Sequence, residues 1–101
     1  MDKKTAKFID RLTRSNIKLN GSEYKVLMVL MAHPDATSGQ ISDFIEMNKA
    51  QTNRAVQVLK EYKIIEETGI VGKNVHLRVN WVGAFLPKGQ ISMQDLLNNA
   101  D

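Results

Sequence analysis

The sequence predicts a mainly helical α+β fold, in which three core helices are followed by a β-hairpin and a further helix is added at each end. Three observations predict it. Capping residues precede apolar stripes at helical spacing between Asn20 and Tyr62. The pattern then changes to strict alternation at Val75-His76-Leu77-Arg78-Val79, the mark of a half-buried strand. Between the two patterns, Gly72-Lys73-Asn74 can supply the positive φ angles of a tight turn. The chain has 101 residues, enough for one core but not two. It is therefore read as a single domain over 1–101, with a basic helix and connector at 1–19, the core at 20–80 and a C-terminal extension at 81–101.

From Thr5 to Leu12, Ala6, Phe8, Ile9 and Leu12 recur at roughly helical spacing among Lys3, Lys4, Lys7 and Arg11, which predicts a basic amphipathic helix. Ser15 to Leu19 breaks that pattern. Asn20-Gly21-Ser22-Glu23 then offers a cap with a glutamate three residues on, followed by Tyr24, Leu27, Met28, Leu30 and Met31, so the second helix is expected to be largely buried. Pro34 and Asp35 end it, because proline lacks the amide hydrogen a helix would use and disfavours helical backbone before it.

Thr37 with Gln40 predicts a capping box for a short helix that ends near Met47 and turns Ile41, Phe44 and Ile45 inward. Asn48 is a natural cap for the next helix, which runs to about Tyr62. Thr52, Ala55, Val56 and Leu59 fall on its core face, and Lys49, Asn53, Arg54, Gln57 and Lys60 on the opposite arc. Ile64-Ile65 is a brief apolar stretch that pairs with Val75 to Val79; Gly69, Gly72 and Asn74 lie between, and Lys73 stands at the tip. An aromatic segment around Trp81 and Phe85 follows, then a break at Pro87 to Gly89 and a final helix near Ser92 to Asn98. There is no internal repeat and no low-complexity stretch.

Composition narrows the function classes. No apolar run approaches the ~20 residues of a membrane span. Cysteine is absent and the start MDKKTAKF lacks the apolar core of a secretory signal, so a soluble cytoplasmic protein is expected. No Gly-rich phosphate loop, nucleophile motif or metal-ligand cluster appears; His33 and His76 are isolated. Neither catalytic residues nor a cofactor nor a metal is expected, and Met28, Met31 and Met47 read as core filler. The formal net charge is +3. It is concentrated in the first quarter, where Lys3, Lys4, Lys7, Arg11, Arg14, Lys18 and Lys25 face only Asp2, Asp10 and Glu23. Met47 to Lys60 also carries cations and no acidic residue. This layout fits a polyanionic partner.

A short capped helix, a turn and a longer helix with a basic, amide-rich outward face make a helix-turn-helix, and the hairpin makes it a winged helix-turn-helix. Such a helix fits the DNA major groove, where phosphate contacts fix register and side chains near its N-terminus reach base edges. The expected DNA-binding residues are Asn48, Lys49, Gln51, Asn53, Arg54, Gln57, Lys60 and Lys73. Asn48 and the free amides of the first turn suit a phosphate. Arg54 can make the bidentate contact to guanine, and Asn53, Gln51 or Gln57 can pair an adenine edge. Lys49, Lys60 and Lys73 suit phosphates, where a flexible point charge adds affinity and salt dependence. A solvated polar arc is, however, what any surface helix shows. The competing reading is a winged-helix module that uses this face against protein.

LNGSEYKVLMVLMAHPDATSGQISDFIEMNKAQTNRAVQVLKEYKIIEE resembles the helix, helix-turn-helix and wing entry of MarR-type winged-helix regulators. VHLRVNWVGAFLPKG is similar to the strand and following segment of the RepL-type replication proteins of Firmicute plasmids. These resemblances imply double-stranded DNA as partner, in transcription regulation or at a plasmid or phage replication origin, with the corresponding machinery as a further partner. They also suggest a homodimer through the terminal helices, Thr5 to Leu12 and Ser92 to Asn98, the equal alternative being that these helices cover their own core. Glu46 and Lys63 stand where such proteins often have glycine, and a left-handed backbone there costs roughly 1 kcal/mol. Phe44 occupies a position that is usually polar; core packing on the N-terminal or C-terminal helix is the favoured expectation for it, and a contact to a partner is the alternative.

Overall fold

The computed structural model describes residues 2–86. Four helices precede one hairpin: α1 (Lys3–Arg14), α2 (Gly21–Ala32), α3 (Ser38–Ile45), α4 (Lys49–Glu61), β1 (Ile65–Val71) and β2 (Asn74–Val79). The final helix expected near Ser92 to Asn98 and the break at Pro87 to Gly89 lie outside the described residues.

Local chemistry starts each helix. Asp2 accepts from the Thr5 amide at 2.7 Å, and the Thr5 amide holds the Asp2 carboxyl below its ordinary value. Asn20 and Glu23 exchange hydrogen bonds in one capping box, and Thr37 and Gln40 do so in another. Asn48 Oδ1 accepts from the Gln51 amide at 2.7 Å. A side-chain cap of this kind contributes about 1 kcal/mol. The expected caps at Asn20, Thr37 and Asn48 are all in place.

Helices α2, α3 and α4 pack around Val26, Leu30, Ile41, Leu59 and the buried Thr52, whose hydroxyl donates to the Asn48 carbonyl. The hairpin closes the core with Ile65, Leu77 and Val79. It is antiparallel, pairing Ile65 with Val79 and Val71 with Asn74. Strand β1 continues well beyond the brief stretch expected at Ile64-Ile65, and Gly69 lies within it rather than in the loop. A register shift between Glu67 and Gly69 leaves Thr68 without a partner. The loop is Gly72-Lys73, and only Gly72 has positive φ, the sign pattern of a type II′ turn. A further bridge joins Thr37 to His76, and the Leu77 amide donates to the Ala36 carbonyl at 3.0 Å, fixing the hairpin to the start of α3.

Helix α1 is part of this core. Phe8 is fully buried and meets Trp81 and Phe85 edge-on at centroid distances of 5.3 and 5.4 Å. Arg11 lies over Phe85 and donates to the carbonyls of Gly83 and Asn80. The first residues after the hairpin are thereby folded back against the N-terminal helix.

Three expectations fail. Met28 is 66% exposed and Tyr24 46% exposed, so α2 is not largely buried and Met28 is not core filler. Phe44 is 56% exposed. Instead of entering the core it stacks on His33, with ring centroids 4.2 Å apart and planes 10° from parallel. For Tyr24 and Met28 the physical reason is that α2 has apolar residues around most of its circumference, more than its packing against α3, α4 and β2 buries.

Candidate nucleic-acid interface

The turn between α3 and α4 sets the direction of the longer helix. Glu46 ends α3 in the left-handed region, at φ 52°, and its amide donates to the Ser42 carbonyl. Ser42 is buried, and its hydroxyl donates to the Met47 carbonyl at 2.5 Å while its own carbonyl accepts the Met47 amide. Lys63, at φ 62°, makes another left-handed turn, between α4 and β1. Both non-glycine residues take the conformation expected of a glycine.

Asn48, Lys49, Asn53, Arg54 and Gln57 are exposed, along with Ala50, which sequence reasoning passed over because an alanine in a helix carries no chemical signal. At 3.6 residues per turn, Ala50, Asn53, Arg54 and Gln57 form one outward stripe starting from the capped end. The core face holds Thr52, Ala55, Val56 and Leu59, as expected.

Two expected contact residues are engaged elsewhere. Gln51 is half-buried, and its Nε2 donates to Ser22 Oγ at 2.8 Å, joining the first turn of α4 to the start of α2. Lys60 Nζ lies 2.6 Å from Glu67 Oε1. Across the hairpin, Arg78 Nε similarly donates to Glu66 Oε1 at 2.7 Å. The acidic residues of the wing's base thus face cations, while Lys73 stands exposed at its tip. Surface pairs of this type contribute ~1 kcal/mol or less, so a phosphate can compete for Lys60.

A cleft beside the stripe is bordered by Asn20, Ser22, Glu23, Gln51 and Arg54. A larger apolar groove of about 600 Å³ runs between α1 and α2 and is lined by Ile9, Leu12, Tyr24, Met28 and Met31 among others. Among the described residues no helix is long and apolar enough to cross a membrane, and no three His, Cys, Asp or Glu residues are grouped to hold a metal ion.

A family model described as the MarR family matches residues 17–70, which spans α2 to most of β1. No curated protein matches the chain. Among solved structures, the zinc-responsive MarR family member ZitR of Lactococcus lactis is 24% identical, with a TM-score of 0.57 over 64% of this chain and 46% of that one. This chain therefore spans less than half of ZitR's length. The homodimeric winged helix-turn-helix DNA-binding domain of Mb0332 from Mycobacterium bovis is 20% identical, with a TM-score of 0.52 over 78% and 72% of the two chains. MarR of Staphylococcus aureus, solved with salicylate and kanamycin, is 16% identical, with a TM-score of 0.56 over 94% and 74%. At these identities the likeness is one of fold.

Proposed function

The chain belongs to the MarR family, and from that premise we propose that it binds double-stranded DNA sequence-specifically as a transcription regulator, with α4 in the major groove. The observation that carries this reading is the exposed stripe on α4, which starts at a capped helix N-terminus and includes Asn53, Arg54 and Gln57. A helix presents its N-terminal side chains to base edges when it enters the groove in this way.

In this reading Arg54 reads guanine through its planar fork, and Asn53 or Gln57 pairs an adenine edge. Lys49, Lys60 and Lys73 meet phosphates, with Lys60 leaving Glu67 to do so. Asn48 and the first amides of α4 sit at the phosphate nearest the helix end. Gln51 serves mainly to position the helix, through Ser22. The protein acts as a homodimer: the exposed apolar groove between α1 and α2 supports a second copy covering Ile9, Tyr24 and Met28. The described residues 2–86 then work as one unit, because α1 is tied to the segment after the hairpin. Two-fold symmetry sets the half-sites about one DNA turn, or a multiple of it, apart.

Selection of bound fragments from random DNA tests the proposal. A recovered palindrome supports a dimeric regulator. Direct repeats would instead support the replication-origin reading, and recovery of no shared sequence would support the protein-interaction module.

A further inference from the structure

The stripe on α4 contains one side chain that can neither donate nor accept a hydrogen bond. Ala50 is exposed at the second helical position, one turn before Arg54, and is flanked by Lys49 and by Gln51, whose amide is turned aside to Ser22. Among the described residues none buries its methyl group. Apart from Ala50, the exposed side chains from Asn48 to Gln57 are all polar or charged. The base edges of the major groove offer one apolar feature, the C5 methyl of thymine, and alanine is a side chain suited to meet it.

From this placement we infer that Ala50 is a specificity-determining residue that packs its methyl group on a thymine C5 methyl, beside the guanine read by Arg54. The inference rests on α4 entering the major groove. Its small side chain lets the first turn approach the base pairs closely, which a longer residue there would prevent. The hydrogen bond from Gln51 to Ser22 at 2.8 Å keeps the neighbouring long side chain out of that space. Four residues of helix rise span about 6 Å, so the thymine lies roughly two base pairs from the guanine.

The test replaces thymine by uracil, which removes only the methyl group, at each position of the duplex that the full chain selects from a random pool. Wild-type binding is expected to weaken about three- to five-fold at one position within two base pairs of the guanine, the loss that follows from uncovering one methyl. In Ala50→Gly that same substitution should have no effect, whatever the variant's overall affinity, because the comparison is made within one protein. Ala50→Ser provides a second variant that keeps the helix and should also lose the sensitivity. Sequence-specific binding that is insensitive to uracil everywhere overturns the role of Ala50 alone, as does sensitivity that persists in both variants. Failure to select any sequence overturns the reading on which it rests.

Discussion

Arg11 and Asn80 join the two ends of the described chain: the Arg11 Nη2 donates to the Asn80 carbonyl at 2.8 Å, while Nη1 donates to the carbonyl of Gly83 at 2.6 Å. The guanidinium also lies 4.6 Å from the Phe85 ring centroid. One planar group thus holds two carbonyls and an aromatic face, which a lysine ammonium cannot reproduce. Arg11→Lys is expected to lower unfolding stability by about 1 to 2 kcal/mol, measured in denaturant. Quenching of Trp81 should also change, since Trp81 packs on Phe8 in the same cluster.

Asn80 is itself fully engaged, donating from Nδ2 to the Lys63 carbonyl at 2.7 Å and accepting the Gly83 amide at 2.8 Å. A Cβ at position 83 would stand 2.6 Å from Asn80 Oδ1, closer than any real contact. Gly83→Ala should therefore displace the Asn80 side chain and lower stability by about 1 to 2 kcal/mol, the range for losing a hydrogen bond in a partly buried site. Amide exchange at residue 83 would report the loss directly.

Glu46 and Lys63, two of the four non-glycine residues with left-handed backbone among the described residues, predict the opposite sign. Glycine at Glu46 or Lys63 relieves about 1 kcal/mol of backbone strain. It adds roughly 0.5 kcal/mol of unfolded-chain entropy. Glu46→Gly and Lys63→Gly should each raise the unfolding midpoint slightly, whereas a β-branched residue such as valine at either position should lower it.

Phe44 separates exposed stacking from core packing by magnitude. A buried phenylalanine costs about 3 to 5 kcal/mol when cut to alanine. With its ring more than half exposed and in contact with His33, Phe44→Ala should cost only about 1 kcal/mol. A loss near the upper range would place the ring in the core after all.

Much of the fold was legible because it is local. Asn20, Thr37 and Asn48 announce helix starts through bonds that reach only three residues, and Thr52, Ala55, Val56 and Leu59 reveal a core face by spacing alone. The Arg11 contacts were not legible: they span about 70 residues, and an arginine on an amphipathic helix reads as solvated. Periodicity shows that Tyr24, Met28 and Phe44 are apolar, but not which sides of α2 and α3 the fold leaves uncovered. The outward arc of α4 was readable as a candidate surface. That Gln51 would turn to Ser22, and that Ala50 would stand free beside it, depended on how α4 sits against α2.

The central claim is that the outward stripe of α4 reads DNA, and the most direct measurement compares Arg54→Ala with Lys49→Ala on the selected duplex and on a scrambled one across a range of salt. Arg54→Ala should reduce the preference for the selected duplex by about 1 to 3 kcal/mol. Lys49→Ala should weaken both duplexes alike and flatten the salt slope by about 0.9. Unchanged affinity, preference and salt slope in both variants would contradict α4 as the reading helix.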